Sequence, residues 1–252
     1  MRAVFVALVC LVLLGPMAVV VIASFSAESY LAFPPTSLSL RWYARFLGDP
    51  RWAAALVNSL VTAAMCCVIS TALGFLAAYA FVRGRLALRG ALMSLMLLPL
   101  IVPSIITAIA IYFLSTRLGM IGSRVWLALT HAVVALPIVL ILAQSTIQGV
   151  DPALERAALV FGCSRWGVLR RVVLPLAAPG IASAALFAFL ASFDELVISL
   201  FVSGVSAQTL PVRIWNSLTL ELEPTIAAVS SILIGVTVLV LLADLAIRRP
   251  GS

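Results

Sequence analysis

The segment VDPALERAALVFGCSRWGVLRRVVLPLAAPG, residues 150–180, carries clear helix signals in a chain that is otherwise mostly apolar. A short helix is predicted over Asp151–Phe161, because Asp151 is a favourable N-cap and Pro152 suits the first helical turn. Gly162 ends this helix, since glycine readily adopts the left-handed conformation found just beyond helix ends. The segment is therefore structured and is not a plain linker.

A second short helix is predicted over Ser164–Val173, and Pro175 is expected to end it because proline lacks a backbone N–H. The resulting order is helix, glycine turn, helix and proline. Two interpretations follow. The pair of helices lies at a membrane surface and anchors a bundle, or it forms a docking surface for another protein. The residues alone leave both open.

The composition indicates a membrane protein. Hydrophobic residues make up 64% of the 252 residues, charged residues make up 10%, and the mean hydropathy is +1.23. Apolar runs of about 20 residues cross a hydrocarbon core of about 30 Å as helices. The sequence predicts an all-α polytopic protein, a single transmembrane domain over residues 1–252. Its six predicted transmembrane helices are Val4–Ala23, Leu56–Phe81, Ala91–Leu114, Val125–Ala143, Gly180–Val202 and Thr225–Ile247.

The arginines predict the orientation, because basic residues beside spans are retained in the cytoplasm. The arginines between spans 2 and 3, between spans 4 and 5 and after span 6 fall on one side, together with Arg2. This places both termini and a loop over residues 150–177 in the cytoplasm. The net charge of +7 does not indicate a nucleic-acid partner, since these arginines are scattered over short loops beside the lipid. The arginines assigned to the cytoplasm are Arg2, Arg83, Arg85, Arg89, Arg156, Arg165, Arg170, Arg171, Arg248 and Arg249.

Several chemistries are excluded by residues that the chain lacks. All sixteen basic residues are arginine, so a P-loop lysine and a Schiff-base lysine are absent. His131 is the only histidine, which excludes a multi-histidine metal site, and we expect it to be a buried residue bonded within the fourth span. The four cysteines have no metal-ligand spacing. The sequence predicts no enzyme active site and no bound metal.

Two adjacent acids interrupt the fifth predicted span, in FLASFDELVISLF, residues 189–201. Placing Asp194 and Glu195 in the middle of a transmembrane helix costs roughly 2.5 to 3.5 kcal/mol for each charge unless a partner or water is present. One interpretation is that both acids are satisfied internally, by Arg213 or by another subunit. The other is that at least one lines a pathway for a cation, because carboxylates at low dielectric attract ammonium groups strongly.

The 150–180 segment resembles the EAA loop of binding-protein-dependent ABC importer permeases. That loop has the pattern Glu-Ala-Ala, three residues, Gly, nine residues, then an aliphatic residue, any residue, Leu and Pro. One position departs, because Arg156 stands where the glutamate is expected and Glu155 precedes it. The matching residues are Ala157, Ala158, Gly162, Val172, Leu174 and Pro175.

The resemblance extends over nearly the whole chain, and within this family the chain resembles the spermidine/putrescine permease branch. It is carried by FPPTSLSLRWYARFL (33–47), NSLVTAA (58–64), LPLIVPSIITAIA (98–110), SFDELVISLFVSG (192–204), QTLPVRIWNSL (208–218) and PTIAA (224–228).

This resemblance implies a type I ABC importer permease fold in the bacterial inner membrane. The chain would pair with a second permease, bind two separate ATPase subunits that hold the ATP and Mg²⁺, and receive its solute from a periplasmic binding protein. It would bind no cofactor itself, and membrane lipid would surround it. Glu155 through Pro175 would couple to the ATPase, and Asp194 and Glu195 would serve a polyamine pathway. The alternatives are another organic cation, thiamine or a metal chelate as solute, or a proton-coupled secondary transporter in which the two acids form the proton relay.

Overall fold

A computed structural model describes residues 2–30, 33–221 and 224–248, and Arg249 lies outside them. Within these ranges the regular structure is helical, apart from one isolated antiparallel bridge between Ser26 and Leu38. The all-α prediction is therefore confirmed. The helices are α1 Arg2–Ala23, α2 Arg41–Gly48, α3 Pro50–Arg83, α4 Arg89–Ile101, α5 Ser104–Leu118, α6 Arg124–Gln148, α7 Pro152–Val160, α8 Arg165–Val168, α9 Leu174–Phe193, α10 Val197–Val202, α11 Leu210–Asn216 and α12 Thr225–Arg248, with π-helical turns at Leu169–Val173 and Ser217–Glu221.

Among the described residues, three helices are long and apolar enough to cross a membrane: α3, α6 and the continuous run Arg165–Phe193. The pair α4 and α5 gives a fourth if it is counted as one span. The apolar stretches Leu8–Ala23 and Thr225–Val238 are shorter. The count of six spans stays a prediction.

The third predicted span is not one straight helix. It divides into α4 and α5, whose axes differ in direction by 100°. Val102, between them, is extended, with φ −71° and ψ 131°. The cause is Pro103, because a proline ring disfavours the helical conformation of the residue before it. The expectation of an uninterrupted helix over Ala91–Leu114 was wrong for this local reason.

The chain packs as two compact units, of which the larger is Ala55–Val212. In this unit α6 packs along α9 and also contacts α4 and α10, while α10 packs against α5. The helices α6 and α9 meet largely through alanines, and such small side chains let two helix backbones approach closely. The buried alanines of this contact are Ala128, Ala132, Ala135, Ala184 and Ala188.

Bulkier side chains fill the core of the same unit near the loop that follows α6. This cluster includes Phe75, Leu140, Ile147, Val168 and Val173, contributed by α3, α6, α8 and the π turn. The loop is therefore supported by a packed apolar core.

The other unit comprises Met1–Ala54 and Arg213–Ser252, in which α12 contacts α1 and α2. The Tyr43 hydroxyl of α2 lies 2.6 Å from Ser24 Oγ, at the end of α1, and 3.2 Å from Ser231 Oγ of α12. The Arg213 guanidinium lies 5.2 Å from the ring centre of Trp52. Polar and cation–π contacts thus join the elements of this unit.

Candidate functional site

The helix α7 has the boundaries that its residues predict. The Asp151 carboxylate accepts a hydrogen bond from the Ala153 N–H at 2.8 Å, and Pro152 occupies the first turn. The helix ends at Val160, and Gly162 adopts φ +87°. The local prediction for the helix and its glycine stop is confirmed to within one residue at each end.

Exposed apolar side chains lie along α7 and just beyond its C-terminal end. Val160 is 85% exposed and Phe161 is 89% exposed. Leu154 and Leu159 are about half exposed, and Arg156 is also exposed. Adjacent exposed apolar side chains beside a polar loop are typical of a contact surface for another molecule.

The opposite side of α7 is fixed by an ion pair. Glu155 is buried, and its Oε1 accepts a hydrogen bond from Arg83 Nε at 2.7 Å. Arg83 Nη2 also donates to the Ile147 carbonyl at 3.1 Å and to the Val150 carbonyl at 2.6 Å. A single guanidinium therefore links α7 to the end of α3 and to the end of α6.

From the sequence, Arg83 was expected only to indicate orientation, and its pairing with Glu155 was not predicted. The signal was present, because Glu155 is the one acid inside α7 and Arg83 lies two residues beyond the second predicted span. What was missing was their proximity, since 72 residues separate them in the chain. Of the two residues at the motif's glutamate position, Glu155 thus faces inward and Arg156 faces outward.

A groove of about 590 Å³ opens beside the ion pair, between α7, α8 and the end of α3. Tyr79, Arg83, Glu155, Arg156, Arg165 and Trp166 are among its lining residues. Its lining is mainly apolar, and the charged groups among the lining residues are Arg83, Glu155, Arg156 and Arg165. It adjoins the exposed apolar side chains of α7, since Leu159 lines it.

The second helix of the loop does not end at Pro175, and the predicted stop was wrong. The helix runs without interruption from Arg165 to Phe193, through a π turn in which the Leu174 N–H donates to the Leu169 carbonyl. In a regular α-helix the proline ring clashes with the carbonyl four residues earlier. The wider turn just before Pro175 changes this register, as π turns do inside helices, so the loop continues directly into α9.

The acids of the fifth span do not lie within a helix, which corrects the sequence-based expectation. The helix α9 ends at Phe193, with the Asp194 N–H bonded to the Leu190 carbonyl at 3.0 Å. The helix α10 begins at Val197. Asp194, Glu195 and Leu196 therefore form a break between α9 and α10.

The two acids have different surroundings at this break. Glu195 is half-buried, and its Oε1 accepts a hydrogen bond from the Ile198 N–H at 3.0 Å, so it caps the start of α10. Asp194 is exposed. Glu195 therefore has an internal partner in the backbone, and a pairing of the acids with Arg213 stays a prediction.

His131 lies at the same break. Its Nδ1 is 2.8 Å from Ser192 Oγ, and its Nε2 is 3.0 Å from Ser199 Oγ. The ring is 1% exposed. The prediction that His131 is buried is confirmed. The prediction that it bonds within its own helix is wrong, because Ser192 lies on α9 and Ser199 lies on α10.

The long apolar helices indicate a multi-pass membrane protein. Residues 70–251 match the family described as binding-protein-dependent transport system inner membrane component, and the chain belongs to this family.

Three named relatives show which transport systems contain proteins similar to this chain. The chain is 31% identical to the spermidine/putrescine transport system permease protein PotC of Haemophilus influenzae, over 93% of this chain and 91% of the relative. It is 32% identical to the putrescine transport system permease protein PotI of Escherichia coli K12, over 88% and 82%. It is also 31% identical to the sulfoquinovosyl glycerol transport system permease protein SmoH of Agrobacterium fabrum, over 71% and 64%.

A solved structure shares the fold. It is a bacterial ABC transporter involved in the import of the acidic polysaccharide alginate, with a TM-score of 0.73 and 17% identity over 100% of this chain and 95% of that one. This likeness confirms the ABC importer permease architecture.

Replacing Arg83 by alanine should release α7 from α3 and α6. The Glu155 carboxylate and two carbonyls lose their donor, which we expect to lower the free energy of unfolding by about 2 kcal/mol, within the range for hydrogen bonds to charged groups. Thermal unfolding of the purified protein in detergent measures the change. Arg85→Ala is the matched control, because Arg85 is exposed at the same end of α3. Equal melting temperatures for the two variants would contradict the anchoring role of Arg83.

Proposed function

We propose that this chain is the non-catalytic permease subunit of an ATP-driven polyamine importer in the bacterial inner membrane. Both termini lie in the cytoplasm. The chain pairs with a second permease and with two ATPase subunits that bind the ATP and Mg²⁺, and a periplasmic binding protein delivers the solute. One combination of features carries the proposal. The chain belongs to this family, its helix α7 is anchored by Arg83, and the Asp194 carboxylate is exposed at the break between α9 and α10.

The coupling step follows from how α7 is held. In the proposal, α7 enters a cleft of the ATPase with Val160 and Phe161 leading, and Arg156 meets the cleft where the motif has glutamate. Closure of the ATPase dimer around ATP pushes α7. The push passes through Arg83 to α3 and α6, and through the continuous Arg165–Phe193 helix to the acidic break. Nucleotide thereby biases the permease between two states.

The polyamine assignment is supported by the relatives and by the break. PotC and PotI are named for spermidine and putrescine transport. The Asp194 carboxylate is exposed at an interruption of an apolar helix, and irregular backbone at membrane depth occurs where it lines a cavity or pathway. A carboxylate in such a place attracts the ammonium groups of a polyamine.

A different small solute is the second candidate, supported by the 31% identity to SmoH, whose name specifies sulfoquinovosyl glycerol. A proton-coupled transporter that works alone is disfavoured, because the chain belongs to a binding-protein-dependent family.

Uptake of labelled putrescine and spermidine tests the proposed function. The native host is compared with a strain that lacks the gene, and each is measured after ATP depletion and after collapse of the proton gradient. We expect gene-dependent uptake that requires ATP and survives collapse of the gradient. Equal uptake in both strains would overturn the polyamine assignment, and uptake that depends only on the gradient would overturn the ATP-driven mechanism.

Replacing Gly162 by valine should uncouple ATP hydrolysis from transport. A side chain at this position meets open space, so any effect arises from the backbone, whose φ of +87° is strained for a β-branched residue by about 1 to 3 kcal/mol. We expect α7 to shift, and the number of solute molecules moved per ATP to fall, in proteoliposomes that contain the complete transporter. Gly162→Asn is the matched control, because asparagine tolerates this conformation. Wild-type coupling in the valine variant would contradict the role of Gly162.

Replacing Asp194 by asparagine should lower polyamine uptake about tenfold, equivalent to about 1.4 kcal/mol, by removing the exposed charge. Glu195→Gln should lower it less, because glutamine keeps an oxygen that can accept the Ile198 N–H. Uptake and co-purification of the ATPase subunits are measured for both variants, and co-purification should remain at the wild-type level. Normal uptake by Asp194→Asn would remove this residue from the solute pathway.

A further inference from the structure

The break between α9 and α10 is held by a buried side chain of a third helix. His131, on α6, contacts Ser192 before the break and Ser199 after it. We propose that His131 is a positioning residue that fixes the bend of the fifth span and so sets the place of the Asp194 carboxylate. This inference rests on the proposed function, because it gives His131 a role in the solute pathway.

The bridge fits the broken helix and not a straight one. Seven residues separate Ser192 from Ser199, which in an unbroken helix is two turns, or about 10 Å along the axis. The bridge consists of one imidazole ring with contacts of 2.8 and 3.0 Å at its two nitrogens. The distance that the ring and its two contacts cover between the serine hydroxyls is shorter than two helical turns. Straightening the segment would therefore break at least one contact.

The bridge is also complete without a charge. A neutral imidazole has one donor and one acceptor nitrogen, and each serine hydroxyl can serve in either role. His131, Ser192 and Ser199 are all buried. A fully satisfied polar network in a low-dielectric core is rigid, whereas a partly satisfied one is costly. The network thus favours the single arrangement in which both serines reach the ring.

The remaining contacts of the break explain why the position of Asp194 depends on this bridge. Glu195 caps the Ile198 N–H, and the Asp194 backbone closes α9 on the Leu190 carbonyl. In the described part of the chain, the Asp194 carboxylate has no hydrogen-bond partner of its own. Its location is therefore determined by where α9 ends and α10 begins, and His131 sets that relation.

A graded set of variants separates this role from general stabilisation. His131→Asn can keep a contact near the Nδ1 position, His131→Gln can keep one near the Nε2 position, and His131→Leu keeps neither. Ser192→Ala and Ser199→Ala remove the partners singly. Thr130→Val is the matched control, because it removes a neighbouring buried hydroxyl whose bond, to the Leu127 carbonyl, lies within α6.

The deciding experiment is a double-mutant cycle between His131→Leu and Asp194→Asn. It measures the maximal rate of labelled putrescine uptake, together with the amount of assembled complex in the membrane. Two lost buried hydrogen bonds predict a fall on the order of tenfold for His131→Leu, with intermediate values for His131→Asn and His131→Gln and a normal rate for Thr130→Val. In the Asp194→Asn background, His131→Leu should cause little further loss, because both changes act at the same place.

Independent losses that multiply in the double variant would overturn the proposal, and so would wild-type uptake by His131→Leu. If His131→Leu fails to assemble, the same cycle is run with Ser199→Ala, and the same two results decide. Failure of the proposed function is distinguishable, because the wild-type protein would then not take up putrescine or Asp194→Asn would transport normally.

Discussion

The Arg83–Glu155 ion pair is the interaction on which the rest of the account depends. Glu155 is 9% exposed, and an acid buried to this degree needs a partner. Arg83 supplies it through Nε and also donates from Nη2 to two carbonyls at the end of α6. The direction of α7 is thereby fixed relative to two long helices. A docking helix without this link could be pushed without moving them.

The long helices depart from regular α-helical geometry in three physically different ways. At Val102 a following proline forces an extended residue and a bend of 100°. At Leu169–Val173 a π turn lets the helix pass Pro175 without ending. At Asp194–Leu196 the helix stops. The Glu195 carboxylate accepts the Ile198 N–H there, and His131 contacts the hydroxyls of Ser192 and Ser199 on either side. In the described part of the chain, only the third places an exposed carboxylate at the irregular segment, since the π turn carries the exposed Arg170 and Arg171. The proposed cation pathway therefore passes the third.

The predictable features are those that depend on residues close in sequence. The limits of α7 follow from Asp151, Pro152 and Gly162, and the membrane helices follow from the length of their apolar runs. The features that were missed depend on contacts across the chain. Arg83 and Glu155 are 72 residues apart, and His131 lies 61 residues from Ser192 and 68 from Ser199. The bend at Pro103 was readable from the residue pair Val102–Pro103, but the apolar pattern on both sides outweighed it.

The most direct test of the account is whether α7 and α9 move as one body when nucleotide binds. Spin labels at Ala153→Cys and Ala182→Cys, in a protein whose four native cysteines are replaced, report this distance within the assembled transporter by pulsed electron resonance. The account predicts a distance that is unchanged to within about 2 Å, the size of a small helix shift, between the nucleotide-free and ATP-trapped states. A larger change would show that α7 swings independently, and it would contradict transmission through the anchored loop.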